Sequence, residues 1–504
     1  MLPLIAPAAM RDMEQRYFAQ TGTPSIELME RAARALCEAI LRRYGAERRA
    51  VFACGPGGNG GDGYACARMY AAMGGRCAVA PAAPPRSPDA VEEARRAREA
   101  GVRTVGTAEL ADAPELWVDA LYGTGLSRAP EGEAAALIQR MNADRARGAQ
   151  VIAVDIPSGL NGATGAAFAP CVRADATFTF QYAKPGHYLG DGLDATGALE
   201  VLDIGIPAAF YPADAPALED AADVRALLPD LPRNLHKGRN GRLAIVAGSV
   251  GMAGAAALAA RAALRGGAGL VTVACPAPVV PIVQTLAPCA TCLPLPEADG
   301  ALAPASEGAL SALLAGVDAA VCGCGLSRRA APEAVRAVLE CGAPALLDAD
   351  ALNLIAADPA LRALLRPRHV ITPHPGEAAR LLGRPVVDPI ADALALREMG
   401  CEALLKGATT VIPVGRAARL SASGCCGMAK GGSGDVLSGL TGALMAQLAA
   451  RGARVEGLAL AECAAAASEL HGAAGEIAQA KLGPRGMCAE DLIGALPEAF
   501  LRYD

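Results

Sequence analysis

Between residues 30 and 203, segments whose apolar residues recur every three or four places alternate with short β-branched, apolar runs at 49–54, 76–80, 115–119, 150–155 and 176–180. Helical and strand periods in succession predict a parallel sheet with helices on both faces. The rhythm breaks at residues 207–223, where Pro207, Pro212 and Pro216 surround Phe210 and Tyr211 and acids follow, so this stretch reads as a linker. A second series then begins, with strands expected at 242–247, 269–274, 319–322, 345–348, 370–372, 403–405 and 410–413, and a largely helical stretch from Asp435 onward. Two α/β domains, residues 1–215 and 216–504, are expected, each long enough for its own core. The sequence has no short-period repeat and no low-complexity tract beyond an alanine bias.

Composition narrows the class. Hydrophobic residues are 53% and charged residues 19% of the 504, with 57 Gly and 36 Pro, which excludes disorder and suits helices packed tightly on buried sheets. Charge cuts every long apolar stretch, as Arg451, Arg454, Glu456 and Glu462 cut 438–470, so no membrane span is expected. A net charge of −6, without basic runs or interleaved aromatics, argues against nucleic acid as a partner. Residues 2–10 are mildly apolar but follow no basic leader and turn polar at 11–16; they do not read as a signal peptide, and a cytoplasmic protein is expected. The 16 cysteines lie scattered in apolar contexts and read as reduced core thiols. Cys289 and Cys292 with Cys322 and Cys324 come nearest to a zinc pattern, but one residue alone separates the second pair.

Candidate chemistry sits at strand ends. After the first strand, Gly55, Pro56, Gly57, Gly58, Asn59, Gly60, Gly61, Asp62 and Gly63 lead into a helix expected over 64–73. Gly55, Gly57 and Gly60 match a dinucleotide fingerprint, in which glycines admit a pyrophosphate to a helix N-terminus. The second strand, however, ends in Val79, Ala80 and Pro81 instead of the acid that binds ribose hydroxyls, which argues against ordinary hydride-transfer binding. Asn59 and Asp62 read either as turn and cap residues or as side chains facing a ligand. An open parallel sheet brings Asp119, Asp155 and Ser158 to the same crevice as Asn59, and this oxygen set suits a hard cation. Lys184, beyond the strand ending at Phe180, is a further active-site candidate, the alternative being a solvated surface lysine.

In the second half, Ser249, Asp348, Asp350, His374, Glu377 and Lys406 cluster at strand ends. The stretch Gly427, Met428, Ala429, Lys430, Gly431, Gly432, Ser433, Gly434, Asp435 precedes an apolar helix marked by Val436, Leu437, Leu440 and Leu444. Backbone N–H groups of such a loop form an anion hole, and Asp435 sits where a hydroxyl is deprotonated during phosphoryl transfer. The alternative is a first-turn acid complementing the helix dipole. No glycine-lysine-serine/threonine step follows a spaced glycine, so this is not a Walker loop.

On these residues the first half resembles the NAD(P)H-hydrate epimerase family: Glu27, Leu28, Met29 and Glu30 in an early helix, then the glycine loop with Asn59 and Asp62, then Asp119 and the turn at 155–159. Through Gly431, Gly432, Ser433, Gly434 and Asp435 the second half resembles the ribokinase-like superfamily. Within it, residues 236–238, 248–256, 265–276, 348–352, 372–382, 406–412 and 427–439 are similar to the ADP/ATP-dependent NAD(P)H-hydrate dehydratases. The resemblance implies an α/β fold, a Rossmann-like three-layer αβα domain followed by a ribokinase-like αβα domain, as in bacterial bifunctional repair enzymes. It implies an isomerase that interconverts R and S forms of NAD(P)H hydrate, and a lyase that dehydrates the S form with ADP, giving AMP and phosphate.

For the epimerase the resemblance implies substrate binding by Gly58, Asn59, Gly60, Gly61, Asp62, Gly123, Thr124, Gly125, Leu126, Ser127, Arg128, Ala129 and Asp155. Asp155 and Lys184 are its expected catalytic residues, and Asn59, Asp119 and Ser158 its potassium ligands. For the dehydratase it implies hydrate contacts at Ala253, Gly325, His374, Pro375, Gly376, Glu377, Ala378, Ala379, Arg380 and the catalytic Asp435. Nucleotide contacts are implied at Lys406, Gly407, Ala408, Thr409, Thr410, Cys425, Cys426, Gly427, Met428, Ala429, Lys430, Gly431, Gly432, Ser433 and Gly434, with Mg²⁺ and ADP or ATP. The expected partners are NAD(P)H hydrate and ADP as small-molecule ligands, and further copies of the chain in a homo-oligomer. The chain departs from the family at Gly58, where a second Asn is usual, and at Gly323, Cys324, Gly325, Leu326, Ser327, where Gly-Pro-Gly-Leu-Gly is usual. Two competing readings are a ribokinase-like small-molecule kinase fused to a nucleotide-binding module, and a first domain that binds without catalysing.

Overall fold

Seven strands of the first half pair into one wholly parallel sheet: Ala50–Cys54 (β1), Cys77–Pro81 (β2), Arg103–Thr104 (β3), Leu116–Ala120 (β4), Gln150–Val154 (β5), Ala176–Phe180 (β6) and Ala198–Leu202 (β7). Their order across the sheet is β3-β2-β1-β4-β5-β6-β7. Alternate residues of a strand point to opposite faces. Phe52, Val118, Ile152 and Phe178 pack under helices Pro7–Thr21 (α1), Ser25–Tyr44 (α2) and Gly58–Ala72 (α3), with Pro88–Glu99 (α4) beside them. Val51, Trp117, Val151 and Ala153 pack on the other face against Gly132–Arg145 (α5). Burial on both faces is why these strands read as continuous apolar runs. The computed structural model describes residues 1–109, 113–228 and 231–503, and the chain divides into two compact units, Pro3–Pro216 and Met1–Leu2 with Ala217–Asp504.

The second unit repeats the plan with Arg242–Val246 (β8), Leu270–Pro276 (β9), Thr291–Leu295 (β10), Ala319–Cys322 (β11), Ala345–Leu347 (β12), His369–Ile371 (β13) and Glu402–Ala403 (β14). All are parallel, in the order β10-β9-β8-β11-β12-β13-β14. A hairpin of Thr410–Val414 (β15) and Ala417–Ser421 (β16) stands apart and pairs with Ala217–Leu218. Its principal helices are Ala253–Arg265 (α6), Pro375–Leu382 (α7), Ser433–Ala450 (α8), Leu458–Gly486 (α9) and Ala489–Leu501 (α10). Helix α8 is buried from Val436 to Gln447, and Gly439 is what lets α6 close on it: a Cβ there would lie 2.1 Å from the Ala259 carbonyl oxygen.

The strand expectations match to within one or two residues, but they omit β3, β7, β10 and β16 and the two-residue strands Leu2–Pro3, Ala217–Leu218, Glu297–Ala298 and Ala301–Leu302. β7 is a half-exposed edge, and β10, also an edge, carries Pro294, which only an edge strand tolerates. Residues 207–223 are not an open linker. They hold a 3₁₀ turn at Ala208–Phe210, the strand Ala217–Leu218 and the start of helix Ala221–Leu227. Phe210 packs edge-on against Tyr17 at 5.5 Å, and the Tyr211 hydroxyl reaches the Leu4 and Pro216 carbonyls at 2.9 and 3.1 Å. No helix among the described residues is long and apolar enough to cross a membrane.

Candidate active sites at the two switch points

In each sheet the chain leaves the central strand toward one side and later returns to fill the other. A crevice therefore opens at the carboxyl ends of β1 and β4, and again at those of β8 and β11. In the first unit α3 begins at Gly58, six residues earlier than expected, so Asn59 lies in its first turn and Asp62 just beyond it, and neither is in a preceding loop. Two glycines make this possible: a Cβ on Gly55 would stand 1.8 Å from the Leu121 carbonyl oxygen, and one on Gly60 1.9 Å from that of Gly55.

Above this crevice lies a cavity of about 480 Å³. Gly58, Asn59 and Asp62 line it from α3, Gly123 to Leu126 from the loop after β4, and Asp155 and Lys184 from the ends of β5 and β6. Met10, Glu14 and Phe18 of α1 and Leu28 and Met29 of α2 close it. Gly60 and Gly61 are buried beneath the wall, and Ser127, Arg128 and Ala129 are exposed outside it. Glu30 stands elsewhere and serves the packing of helices, pairing with Arg68 at 2.5 Å and Arg96 at 2.9 Å and so tying α2 to α3 and α4.

Asp155 is the centre of a tight turn closed by the Ile156 N–H on the Val154 carbonyl at 2.8 Å, with φ at +65°. Such backbone is costly for a residue with a Cβ and persists where the surroundings enforce it. Lys184 is 1% exposed and donates to Asp155 Oδ1 at 2.5 Å, to Thr179 Oγ1 at 2.9 Å and to the Phe180 carbonyl at 3.2 Å. It is thus no solvated surface lysine. Thr179 Oγ1 donates to the same carboxylate oxygen at 2.9 Å. Burial alone would raise the Asp155 carboxyl, but the Lys184 charge and these hydrogen bonds hold it below the usual carboxylate range. His187 Nδ1 accepts from the Lys184 N–H and Nε2 meets the Asp155 carbonyl at 2.9 Å, the pattern of a neutral ring; burial, then Lys184, lowers it to about 4.

Asp119 is fully buried on β4 and accepts from Ser158 N–H at 2.7 Å, Ser158 Oγ at 2.6 Å and Leu121 N–H at 3.2 Å. These donors are all neutral, and burial pushes the carboxyl up to about 6. Asn59 Nδ2 is buried without a hydrogen-bond partner, and half a turn of the amide places its oxygen at that spot. A buried carboxylate lacking a counter-charge and a buried amide end lacking a partner both suit a cation of low charge density.

In the second unit the polar residues again stand at carboxyl ends. Ser249, after β8, donates to the Gly325 carbonyl, after β11, at 2.9 Å, and a Cβ on Gly325 would meet Met252 and Ala255, next to Ala253 at the head of α6. Lys406 donates to Asp348 Oδ1 at 2.6 Å, and Ser438 of α8 donates to Oδ2 at 2.8 Å. A Cβ on Gly434 would lie 3.5 Å from Lys406 Nζ, so the ammonium reaches the glycine loop. Helix α8 starts at Ser433, two residues ahead of the helical stretch expected from Asp435, after Gly432 at φ +98°; Asp435 is therefore in its first turn. Burial, then the Asp348 charge, pushes Asp435 up to about 6, against the pull of Cys324 and Lys406. His374 caps α7: its Nδ1 accepts from Gly376 N–H at 3.0 Å, while its own N–H donates to Glu377 Oε2 at 2.9 Å. Arg380 donates to Asn353 Oδ1 at 2.9 Å beside a second cavity of about 390 Å³ that does not include Asp435 among its walls.

Other expected nucleotide contacts are placed less directly. Lys430 donates to the Arg485 carbonyl at 2.8 Å and to that of Met487, so its ammonium braces α9. Cys425 and Gly427 lean on α9 through the Gly475 carbonyl and Gln479 Oε1. Lys406 to Thr410 form the turn between the Leu405 and Val411 backbone pair. Sequence reasoning missed Glu14, whose signal is an acid set between Met10 and Phe18 at helical spacing. It also gave no role to Ser438, inside the matched stretch 427–439, and missed Gln479, a polar residue of α9 outside every motif.

Residues 25–186 match the family model for the YjeF-related protein N-terminus, and residues 243–498 match that for NAD(P)H-hydrate dehydratase. A bifunctional NAD(P)H-hydrate repair enzyme of Moorella thermoacetica is 38% identical over 98% of this chain and 96% of its own. The chain belongs to that bifunctional family. The NAD(P)H-hydrate repair enzyme of Escherichia coli K12 is 37% identical over 94% of this chain and 89% of its own. Among solved structures, the chain is similar to the ADP/ATP-dependent NAD(P)H-hydrate dehydratase of Bacillus subtilis co-crystallised with ATP and Mg²⁺, at 27% identity and TM-score 0.46, covering 57% of this chain and 99% of that one. In this repair enzyme Gly58 leaves open space where an Asn side chain would project, and Ser327 takes up φ +74°, the left-handed conformation natural to the family's glycine.

Proposed function

We propose that the first unit interconverts the epimers of NAD(P)H hydrate and that the second dehydrates one epimer at the expense of ADP or ATP. The observation that carries this reading is Asp435. A carboxyl raised to about 6 stands in the first turn of α8, between the glycine loop and the Lys406–Asp348 pair. The hydrate carries a hydroxyl next to its ring nitrogen, whose lone pair expels a good leaving group; hydroxide is a poor one. Asp435 takes the hydroxyl proton as that oxygen attacks the terminal phosphoryl group, the N–H groups at the head of α8 hold the phosphoryl oxygens, and phosphate then leaves as the ring regains its conjugation. Mg²⁺, when bound, neutralises phosphate charge. With ADP the products are NAD(P)H, AMP and phosphate.

In the first unit Gly58, Asn59, Asp62 and Gly123 to Leu126 bound the hydrate's cavity, Asp155 and Lys184 supply acid–base chemistry, and Asn59, Asp119 and Ser158 would hold potassium. Potassium, when bound, would supply the charge that Asp119 lacks and fix the loops carrying these three residues. Mixed hydrate epimers incubated with the chain test the whole reading. Absorbance of the reduced cofactor should recover completely with ADP or ATP and not without. A stable phosphorylated product would instead favour a small-molecule kinase.

A further inference from the structure

The cavity of the first unit has a titratable wall that no motif residue supplies. Met10, Glu14 and Phe18 are four residues apart on α1, so they share one helix face, and all three line the cavity. Among the described residues no ion pair or side-chain hydrogen bond holds the Glu14 carboxyl. Around the same space stand Asp155 and Lys184 from the strand ends, Asp62 from α3 and Asp89 from α4, with Arg11 near Glu14 on its own helix. Burial, and then the Asp155 charge, pushes Glu14 up to about 7, although Lys184 and Arg11 oppose the shift. Asp155 is driven the other way by its ion pair. Two carboxyls in one cavity whose surroundings separate their proton affinities have the form of an acid and a base. Inverting a carbon that bears a hydroxyl needs both, one for the oxygen that leaves and one for the oxygen that arrives.

We propose that Glu14 is a catalytic acid–base residue of the epimerase, exchanging its proton with the hydrate's hydroxyl while Asp155 serves the incoming water; this rests on the epimerase reading above. Glu14 gives its carboxyl proton to the hydroxyl oxygen, the C–O bond breaks with its electron pair leaving on water, and the ring-nitrogen lone pair closes a C=N bond. A second water adds its oxygen to that carbon from the strand-end side, the C=N pair returns to nitrogen, and the surplus proton passes to the Asp155 carboxylate. The other epimer results, with a hydroxyl oxygen drawn from solvent. The reverse passage returns each proton.

Glu14→Gln keeps the shape and removes the proton. Epimer exchange should fall at least about 10²-fold, with the melting temperature and nucleotide-dependent dehydration unchanged. Wild-type exchange should decline as pH rises through about 7. That limb should vanish in Glu14→Gln and persist, at a reduced rate, in Glu14→Asp. In H₂¹⁸O each wild-type exchange should place one solvent oxygen in the hydroxyl. Wild-type exchange rates in Glu14→Gln, or an unchanged alkaline limb, would overturn the assignment. Retention of the original oxygen would overturn it too, because the bond broken would then be C–N. A wild-type chain that exchanges no epimers would refute the epimerase reading itself, whatever Glu14 does.

Discussion

The two units share a strand order and a switch point, yet they present opposite electrostatics there. In the first, the glycine segment follows the central strand directly, and the buried lysine pairs with the carboxylate proposed for catalysis, Lys184 with Asp155. In the second, the turn after the central strand carries Gly248 and Ser249, and the glycines proposed to bind phosphate arrive much later, at the head of α8. There the lysine is committed to a neighbour, Lys406 to Asp348, and Asp435 forms no ion pair among the described residues. One carboxyl is held ionised and the other kept ready to accept a proton near neutrality. Topology fixes where a site opens, and the pairing of charges inside it decides which chemistry a carboxylate performs.

Asp435→Asn should break this contrast most sharply. Nucleotide-dependent dehydration is expected to fall by about 10²- to 10⁴-fold with epimer exchange intact, because only the second site loses its base. Wild-type dehydration should rise as pH climbs through about 6, where the carboxyl ionises, and level off above. A rate indifferent to pH between 5 and 7 would remove Asp435 as the base.

Next in size is the Asp155–Lys184 pair. Asp155→Ala leaves a buried ammonium without its partner, a change that costs about 3–5 kcal/mol, so the first unit should melt earlier as well as lose exchange. The carboxyl is depressed in the folded state, so the stability from this pair is present above the ordinary carboxylate range and lost as pH falls through the lowered value. Asp155→Asn combined with Lys184→Met should recover much of the stability and none of the exchange. If the double variant exchanges epimers, the pair is structural. Careful removal of potassium should slow exchange if Asn59, Asp119 and Ser158 hold it; an unchanged rate would dismiss the cation.

Much of this was legible in the sequence where local pattern and tertiary role coincide. Buried parallel strands announce themselves as apolar runs, whereas the glycines at 55 and 60, expected to admit a pyrophosphate, make room for the backbone at Leu121 and Gly55. The edges β7 and β10 escaped because half-exposed strands lose that signature, and the first turns of α3 and α8 because glycine-rich sequence reads as loop until packing forces it helical. Lys184 was ambiguous since one sequence cannot say whether a lysine is buried, and Glu14 went unseen because its meaning lies in groups distant along the chain. The glycines can be tested apart. Gly60→Ala should destabilise the first unit by about 3 kcal/mol, given the 1.9 Å approach to the Gly55 carbonyl. Gly58→Asn, with no atom within 4 Å of its Cβ, should change stability by less than about 0.5 kcal/mol. Equal penalties at the two positions would mean that the turn rejects any side chain.

A change of sign, from loss to gain of stability, belongs to the second unit's own departure, Ser327. Its φ of +74° costs a residue with a Cβ about 1–2 kcal/mol, and glycine would remove that strain. Two terms oppose the gain. The hydroxyl oxygen of Ser327 accepts from the Arg329 N–H at 3.2 Å, a bond worth about 0.5 kcal/mol at that length, and glycine gives the unfolded chain about 0.4–1 kcal/mol more freedom to lose. The Ser327 N–H bond to Asp350 Oδ2 at 2.9 Å survives the exchange, so the turn keeps its anchor. Ser327→Gly should therefore raise stability by less than about 1 kcal/mol, visible as a rise of about 1–3 °C in the melting temperature of the second unit. A fall of that size would show that the Ser327 hydroxyl holds the turn more strongly than its backbone strains it.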